Sequence, residues 1–170
     1  MKGASDTNLH HGLGAEEPSR KFMVFQLGLE RYAFPIHVVK EIVTKPSVTR
    51  VPNTPEHVRG VINLRGKIVP VFDLRLKLGM DWRDYDEETC YTILEVAHDK
   101  GLSLVAVAVD TVLETSSFTE EQISEAPDIS GESPARILEA TSTDDQGAVL
   151  IVSVVELFRN EFQFPDEIEA

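Results

Sequence analysis

The sequence of 170 residues has very little cysteine and no long hydrophobic run. Its single cysteine, Cys90, excludes an internal disulfide framework and is typical of a protein kept in a reducing cytoplasm. The longest apolar stretches, such as residues 104–109, are far too short to span a lipid bilayer. The first residues lack a basic segment followed by an apolar one, so no secretory signal is predicted. These absences predict a cytoplasmic protein that does not insert into a membrane.

Residue patterns that carry catalytic or metal chemistry are missing as well. The histidines have neither the HExxH nor the HxH spacing of zinc sites, and they lie at positions 10, 11, 37, 57 and 98. The Gly66-Lys67 pair lacks the loop of a phosphate-binding motif. We therefore predict no enzyme activity, no catalytic residue, no cofactor and no metal ion. Nucleic acid is not a predicted partner, because no Lys/Arg cluster is interleaved with aromatic residues.

The acidic excess is unevenly distributed along the chain. The net charge is −13, but residues 20–83 contain 12 basic and 5 acidic side chains. Residues 84–170 contain 3 basic and 21 acidic side chains. This uneven charge distribution predicts either two partners of different charge or head-to-tail stacking of copies of the chain. The alternative interpretation, that acidic loops only keep the second half soluble, stays open.

Hydrophobic residues alternate with polar ones along most of the chain, which predicts an all-β fold of barrels or sandwiches. Helices are predicted only at residues 36–43, 73–78 and 153–160. The acidic stretch 81–88 separates two sets of about five strands each. The predicted strands are residues 23–27, 31–34, 48–51, 61–64, 68–72, 91–97, 102–109, 112–115, 136–140 and 148–152.

The most informative segment is residues 60–75, which reads as a β-hairpin followed by a helix. Two alternating apolar runs flank a turn at residues 65–67, where Gly66 is free to adopt positive φ. Asp73 stands at the N-cap position before the helical segment. The hairpin presents Arg65 at its tip, which is typical of a docking surface more than of an active site.

This segment also resembles the core signature of the CheW family, the coupling proteins that join bacterial chemoreceptors to the histidine kinase CheA. The resemblance rests on Asn63-Leu64-Arg65-Gly66, Ile68-Val69-Pro70-Val71 and Asp73-Leu74-Arg75. It extends over residues 22–158 and includes further matches at 22–28, 32–43, 51–55, 105–112 and 150–158. Several motifs in the family's order make the match specific.

The resemblance implies two SH3-like five-stranded β-barrels packed together, with a few short helices. On that basis residues 1–20 are a flexible extension, 21–160 form the CheW-like domain and 161–170 are an acidic tail. Within the domain we expect a first barrel at about 21–80, a connector at 81–88, a second barrel at about 89–153 and a C-terminal helix at 153–160. Chain crossovers that interleave the two barrels stay open as an alternative.

The resemblance further implies that the 36–43 region and the hairpin tip contact partners. Glu41 and Arg65 match a carboxylate and an arginine that the family retains, and we expect them to form an ion pair. Val39 is either core or contact, whereas Ile42 is the better candidate for an exposed anchor. The implied partner-binding residues are Arg65, Glu41, Val39, Ile42, Asn63 and Gly66.

The function implied by the resemblance is that of a non-enzymatic adaptor. It would couple methyl-accepting chemoreceptors, through their cytoplasmic tips, to the regulatory domain of a CheA-type kinase, and would join rings of CheW-like domains. The chain would then be recruited from the cytoplasm to membrane-associated receptor arrays. Three alternatives stay open: an adaptor of an array with another output such as surface motility, a small all-β enzyme, and a peptide-binding SH3-like module. The scattered aromatic residues Trp82, Tyr32, Tyr85 and Tyr91 argue against the last.

Overall fold

The structure, a computed structural model, describes residues 18–125 and 138–162. Within these ranges strands predominate and the helices are short, which confirms the predicted all-β fold. Most of the predicted N-terminal extension, residues 1–17, lies outside the described residues. The predicted acidic tail from position 163 and the first two residues of the predicted strand 136–140 lie outside them as well.

The described residues form eleven strands and two one-turn α-helices. Two 3-10 helices, Ile36–Val38 and Glu120–Gln122, are present in the same residues. The elements in chain order are β1 (Ser19–Leu27), β2 (Glu30–Pro35), β3 (Val39–Val43), β4 (Val58–Leu64), β5 (Lys67–Asp73), α1 (Leu74–Lys77), β6 (Cys90–His98), β7 (Gly101–Val109), β8 (Thr111–Thr119), β9 (Ile123–Glu125), β10 (Leu138–Asp144), β11 (Gly147–Val152) and α2 (Val154–Leu157).

The described strands assemble into two sheets. Sheet I has the order β9-β10-β11-β2-β1-β8, and sheet II has the order β3-β6-β7-β5-β4. Most neighbouring strands are antiparallel, but β11 runs parallel to β2 and β5 runs parallel to β7. Sheet II has the five strands expected of each barrel, while sheet I gains a sixth through the three-residue strand β9.

The two sheets do not follow the predicted division of the chain at residues 81–88. Sheet I combines β1 and β2 from the first half with β8 to β11 from the second, and sheet II contains β6 and β7 besides β3 to β5. The interleaved alternative is therefore the correct one. The parallel pairs β11–β2 and β5–β7 are the places where a hairpin of one half completes the sheet of the other.

Both sheets repeat one plan. Strands β10, β11, β2, β1 and β8 of sheet I correspond in order to β4, β5, β7, β6 and β3 of sheet II. In each sheet a hairpin leads into a one-turn helix whose N-cap side chain accepts a backbone hydrogen bond. Asp73 accepts from the N–H of Leu76, as the sequence predicts, and Ser153 accepts from the N–H of Glu156.

The main core lies between the sheets, and each sheet also encloses a smaller cluster. Phe25 and Phe34 of sheet I have ring centroids 4.6 Å apart, and Phe72 of sheet II meets Phe158 edge-to-face at 5.0 Å. All four rings are at most 4% exposed. Burial of each such side chain contributes roughly 1.5–3 kcal/mol, so the ring cluster is a major part of what joins the sheets.

The predicted helix at residues 36–43 is wrong. Only Ile36–Val38 form a 3-10 turn, and Val39–Val43 form strand β3 antiparallel to β6. β-branched residues dominate this segment, and they favour extended backbone when a neighbouring strand offers free backbone groups. That neighbour is about fifty residues away in sequence, so the local pattern could not reveal it.

Two other predicted elements are reduced to half of their predicted length or less. The predicted strand at 48–51 is reduced to a single antiparallel bridge between Thr49 and Val61. The predicted C-terminal helix at 153–160 is reduced to Val154–Leu157, followed by hydrogen-bonded turns that reach Glu161.

Candidate docking surface

The hairpin β4–β5 closes through a two-residue turn formed by Arg65 and Gly66. Leu64 pairs with Lys67, and the two central residues have φ values of 52° and 90°. Two positive φ values define the type I′ turn, which matches the twist of the flanking strands. The sequence predicts positive φ at Gly66, but not at Arg65, where a side chain adopts this conformation only at a cost. The Gly66 N–H donates to Asn63 Oδ1 at 2.8 Å and so stabilises the turn.

Arg65 forms the ion pair with Glu41 that the sequence predicts. Both guanidinium Nη atoms donate to the carboxylate, with Nη2 at 2.9 Å from Oε1. The Arg65 side chain remains 72% exposed, against 29% for Glu41. Hydrogen bonding from Arg65 holds the pKa of Glu41 below its ordinary value. An exposed pair of this kind adds little to stability, so its main effect is to orient Arg65.

The pair joins the two opposite edges of sheet II. Glu41 lies on β3 at one edge, and Arg65 lies at the tip of the hairpin whose strand β4 forms the other edge. The contact therefore spans from one edge of the sheet to the other and leaves the Arg65 guanidinium largely exposed. Among the predicted partner-binding residues, Glu41, Asn63, Arg65 and Gly66 come together at this tip.

The two predicted hydrophobic anchors on β3 differ in exposure. Ile42 is 42% exposed, as expected of a surface anchor. Val39 is half-buried and packs against the core between the sheets. Their roles in partner contact stay predictions, but Ile42 presents more surface to a partner.

A groove of about 390 Å³ lies beside the hairpin. Ile68, just past the turn, and Leu102, at the start of β7, line it, and each is 65% exposed. Lys40 of β3 and Glu95 of β6 form a salt bridge of 3.5 Å at its wall. The Arg65 tip is thus flanked by an apolar surface with basic side chains.

A second arginine–carboxylate cluster, which the sequence analysis missed, joins the two sheets. Arg75 donates to both carboxylate oxygens of Asp110, from Nε at 2.8 Å and from Nη2 at 2.7 Å. The Gly28 N–H and Arg83 Nη1 also donate to Asp110, each at 2.8 Å. Burial by itself raises the pKa of Asp110, but the hydrogen bonds from Arg75 and Gly28 outweigh it and hold the pKa below its ordinary value.

This cluster has a structural role. Gly28 belongs to the β1–β2 turn of sheet I, Arg75 to helix α1 after β5 of sheet II, and Asp110 to the link between β7 and β8. The side chains of Arg75 and Asp110 are 14% and 9% exposed. The Asp-Leu-Arg motif contains Arg75, but it does not reveal the partner 35 positions away.

The structure brings together three of the aromatic residues that lie apart in the sequence. Trp82 and Tyr85 have ring centroids 5.1 Å apart, and Tyr85 meets Tyr91 edge-to-face at 5.8 Å. Tyr91 is buried, the Tyr85 hydroxyl donates to Asp73 Oδ2 at 2.6 Å, and the Arg59 guanidinium lies 4.4 Å from the centre of the Trp82 ring. These rings pack the connector onto sheet II instead of lining an open peptide groove.

Within residues 18–125 and 138–162, no group of three His, Cys, Asp or Glu side chains is arranged to hold a metal ion. In the same part of the chain, no helix is long and apolar enough to cross a membrane.

The fold places this chain in a class of small proteins built of two packed β-barrels, and the chain presents Arg65 at a hairpin tip. The CheW-like domain family matches residues 21–162 of this chain. The chain is 35% identical over 149 residues to the chemotaxis protein CheW of Klebsiella aerogenes, covering 88% of this chain and 87% of that protein. It is 31% identical over 142 residues to the chemotaxis protein CheW of Helicobacter pylori, covering 84% and 83%.

A solved structure agrees with these sequence comparisons. The scaffolding protein TtCheW of Thermoanaerobacter tengcongensis superposes with a TM-score of 0.76 at 30% identity, covering 86% of this chain and 98% of that one. The chain belongs to the CheW family.

Proposed function

We propose that this chain is a non-enzymatic adaptor that couples chemoreceptors to a CheA-type histidine kinase in bacterial chemotaxis. Support comes from its membership of the CheW family and from the architecture of the hairpin tip. The observation that carries the proposal is the exposed Arg65 guanidinium, oriented by a type I′ turn and a bidentate pair with Glu41. In this role the chain is a cytoplasmic protein recruited to receptor arrays at the membrane.

Two kinds of partner would share one small surface of the chain. The regulatory domain of the kinase and the cytoplasmic tip of a receptor would contact the Arg65 tip, Ile42 on β3 and neighbouring side chains. Contacts with other CheW-like domains would extend the assembly into rings. Coupling requires these contacts to differ in free energy between the kinase-on and kinase-off arrangements. A partner that binds both arrangements with equal affinity does not shift the equilibrium between them.

The test is isothermal titration of the full chain against the kinase regulatory domain and, separately, against a receptor cytoplasmic fragment. Arg65→Glu is expected to weaken binding to at least one partner by about tenfold or more, because a charge facing the partner is reversed. Arg159→Glu is the matched control, since Arg159 is also exposed and makes a bidentate pair, with Glu156. If the Arg65→Glu variant binds both partners with wild-type affinity, Arg65 is not part of the contact.

A charge swap separates direct contact from positioning. The double variant Glu41→Arg with Arg65→Glu restores an ion pair between β3 and the hairpin tip but reverses the exposed charge. If Arg65 contacts the partner directly, binding stays weak in the double variant. Recovery of binding would assign Arg65 the lesser role of fastening the hairpin to β3.

A further inference from the structure

The turn at residues 158–162, which follows helix α2, is fastened to sheet II by the carboxylate of Glu161. Glu161 accepts a hydrogen bond from Lys77 Nζ at 2.6 Å and lies 2.9 Å from His57 Nε2. The side chains of Glu161, Lys77 and His57 are 17%, 12% and 25% exposed. Removing one member of a group this well covered leaves a poorly hydrated charge, so the contact holds its members together more strongly than an exposed ion pair does.

The two side chains that meet Glu161 come from opposite ends of the β4–β5 hairpin. His57 directly precedes β4, and Lys77 is the last residue of helix α1, which follows β5. The Asp73 N–H also donates to the His57 carbonyl oxygen at 2.8 Å, so the two ends of the hairpin are joined to each other. Glu161 therefore attaches the 158–162 turn to the base of the hairpin that presents Arg65 at its tip.

The residue after Glu161 lies between two cavities. Phe162 lines the groove of about 390 Å³ beside the hairpin and a cleft of about 120 Å³ beside α2, and it is the only described residue that lines both. The Phe162 ring stacks on the ring of His98 with 4.5 Å between their centres, and it lies 6.4 Å from the ring centre of the buried Phe158. Displacement of this one ring joins the two cavities into a single channel whose wall includes Phe158.

We propose that Glu161 is a clasp that holds the Phe162 ring as a closed gate between the two cavities. While the clasp is formed, the groove beside the hairpin ends at Phe162. When it is released, the ring moves away and the channel becomes open to apolar molecules. Because both partners of Glu161 belong to the base of the hairpin, the clasp makes the length of the groove depend on the position of that base. The inference does not rest on the proposed function, because every contact in it lies within one chain and its test needs no partner.

The first test is a proton NMR spectrum of the full chain. In the closed arrangement the ring current of Phe162 shifts the ring protons of His98 upfield, because the two rings are stacked. A His98→Asn variant identifies these resonances by their loss. Unshifted His98 resonances in the wild-type protein would overturn the proposal.

A matched pair of substitutions tests whether Glu161 positions the gate. Glu161→Ala should move the His98 resonances toward their position in an unfolded chain. Glu87→Ala is the control, because Glu87 also lies 2.6 Å from a lysine Nζ, that of Lys45, but the two side chains are 83% and 64% exposed. No movement in Glu161→Ala, or equal movement in both variants, would contradict the clasp.

Binding of the apolar dye anilinonaphthalene sulfonate measures the opening of the channel. Phe162→Ala should raise the dye fluorescence several-fold, because it removes the gate, and Glu161→Ala should also raise it. If Glu161 acts through Phe162, then Glu161→Ala adds nothing further in the Phe162→Ala background. Increases that add in the double variant, or no increase in Glu161→Ala, would overturn the proposal. Near-ultraviolet circular dichroism checks that each variant keeps its tertiary packing.

Discussion

Sheet I and sheet II share one strand plan but present different hairpin tips. In sheet II the tip carries Arg65, which pairs with Glu41 on β3. When the strand pairings are followed through both sheets, the equivalent positions in sheet I are Asp145 and Glu114. Backbone hydrogen bonds preserve the plan, whereas an exposed tip tolerates a change of charge. The basic tip therefore distinguishes the barrel of sheet II from that of sheet I.

The largest expected effect on stability is at Gly60, where the chain around Thr49 packs closely against β4. This contact lies at the edge of sheet II, in the position that strand β9 occupies in sheet I. Gly60 has φ 139°, and a Cβ added there would lie 2.2 Å from the Thr49 carbonyl oxygen. Gly60→Ala should lower the free energy of unfolding by more than about 3 kcal/mol, because the backbone must move. Urea denaturation measures this loss.

Gly66→Ala is the control for the Gly60 substitution. Gly66 also has positive φ, but nothing lies within 4 Å of an added Cβ. Its loss should be about 1 kcal/mol, from the backbone strain of an alanine at positive φ alone. Equal losses in the two variants would show that the close approach of Thr49 does not hold β4 in place.

The next largest effect concerns the cluster that joins the two sheets. Asp110→Ala leaves the largely covered Arg75 side chain without its carboxylate partner, and it should lower the free energy of unfolding by about 3 kcal/mol. Thermal and urea denaturation should agree on this loss. A loss below about 1 kcal/mol would mean that the ring cluster alone keeps the sheets together.

Acid provides a finer test of the same cluster. The pKa of Asp110 is lower in the folded chain than its ordinary value of about 3.9, so its stabilising contribution is present above about pH 4 and is lost as the pH falls through the folded pKa. The stability difference between wild type and Asp110→Asn should therefore shrink as the pH is lowered from about 5 to about 2. If the stability difference between the two proteins is constant over this range, the ionised Asp110 carboxylate does not cause it. Asp144 and Glu41 also have lowered pKa values, so only the difference between the two proteins isolates Asp110.

The smallest effect on stability is expected at the hairpin tip. Glu41→Gln removes the carboxylate that orients Arg65 but leaves the fold intact, because Arg65 is exposed to water and Glu41 is partly exposed. Its urea midpoint should match that of wild type, while partner affinity in the titration described above should fall. A clear drop in the midpoint would mean that the pair closes the barrel rather than presenting the arginine.

Local patterns were sufficient for the elements whose partners lie nearby in the sequence. The hairpin at residues 60–75, its Gly66 turn and the Asp73 cap were all predicted, since each depends on contacts within a few residues. The pair of Glu41 with Arg65 was predicted from the family resemblance, not from the spacing. The strand β3 was missed, because a β-branched segment becomes a strand only when β6 pairs with it.

The sequence by itself determined that this chain is all-β, that it presents Arg65 on a tight turn and that it resembles the CheW family. Alternation, glycine and N-cap signals are properties of short segments, so they can be read from neighbouring residues. Only the tertiary structure decided which hairpin completes which sheet, and that Asp110 meets Arg75 and Gly28 where the sheets join. Those contacts form when residues far apart in the chain are buried together, and no local pattern records such pairings.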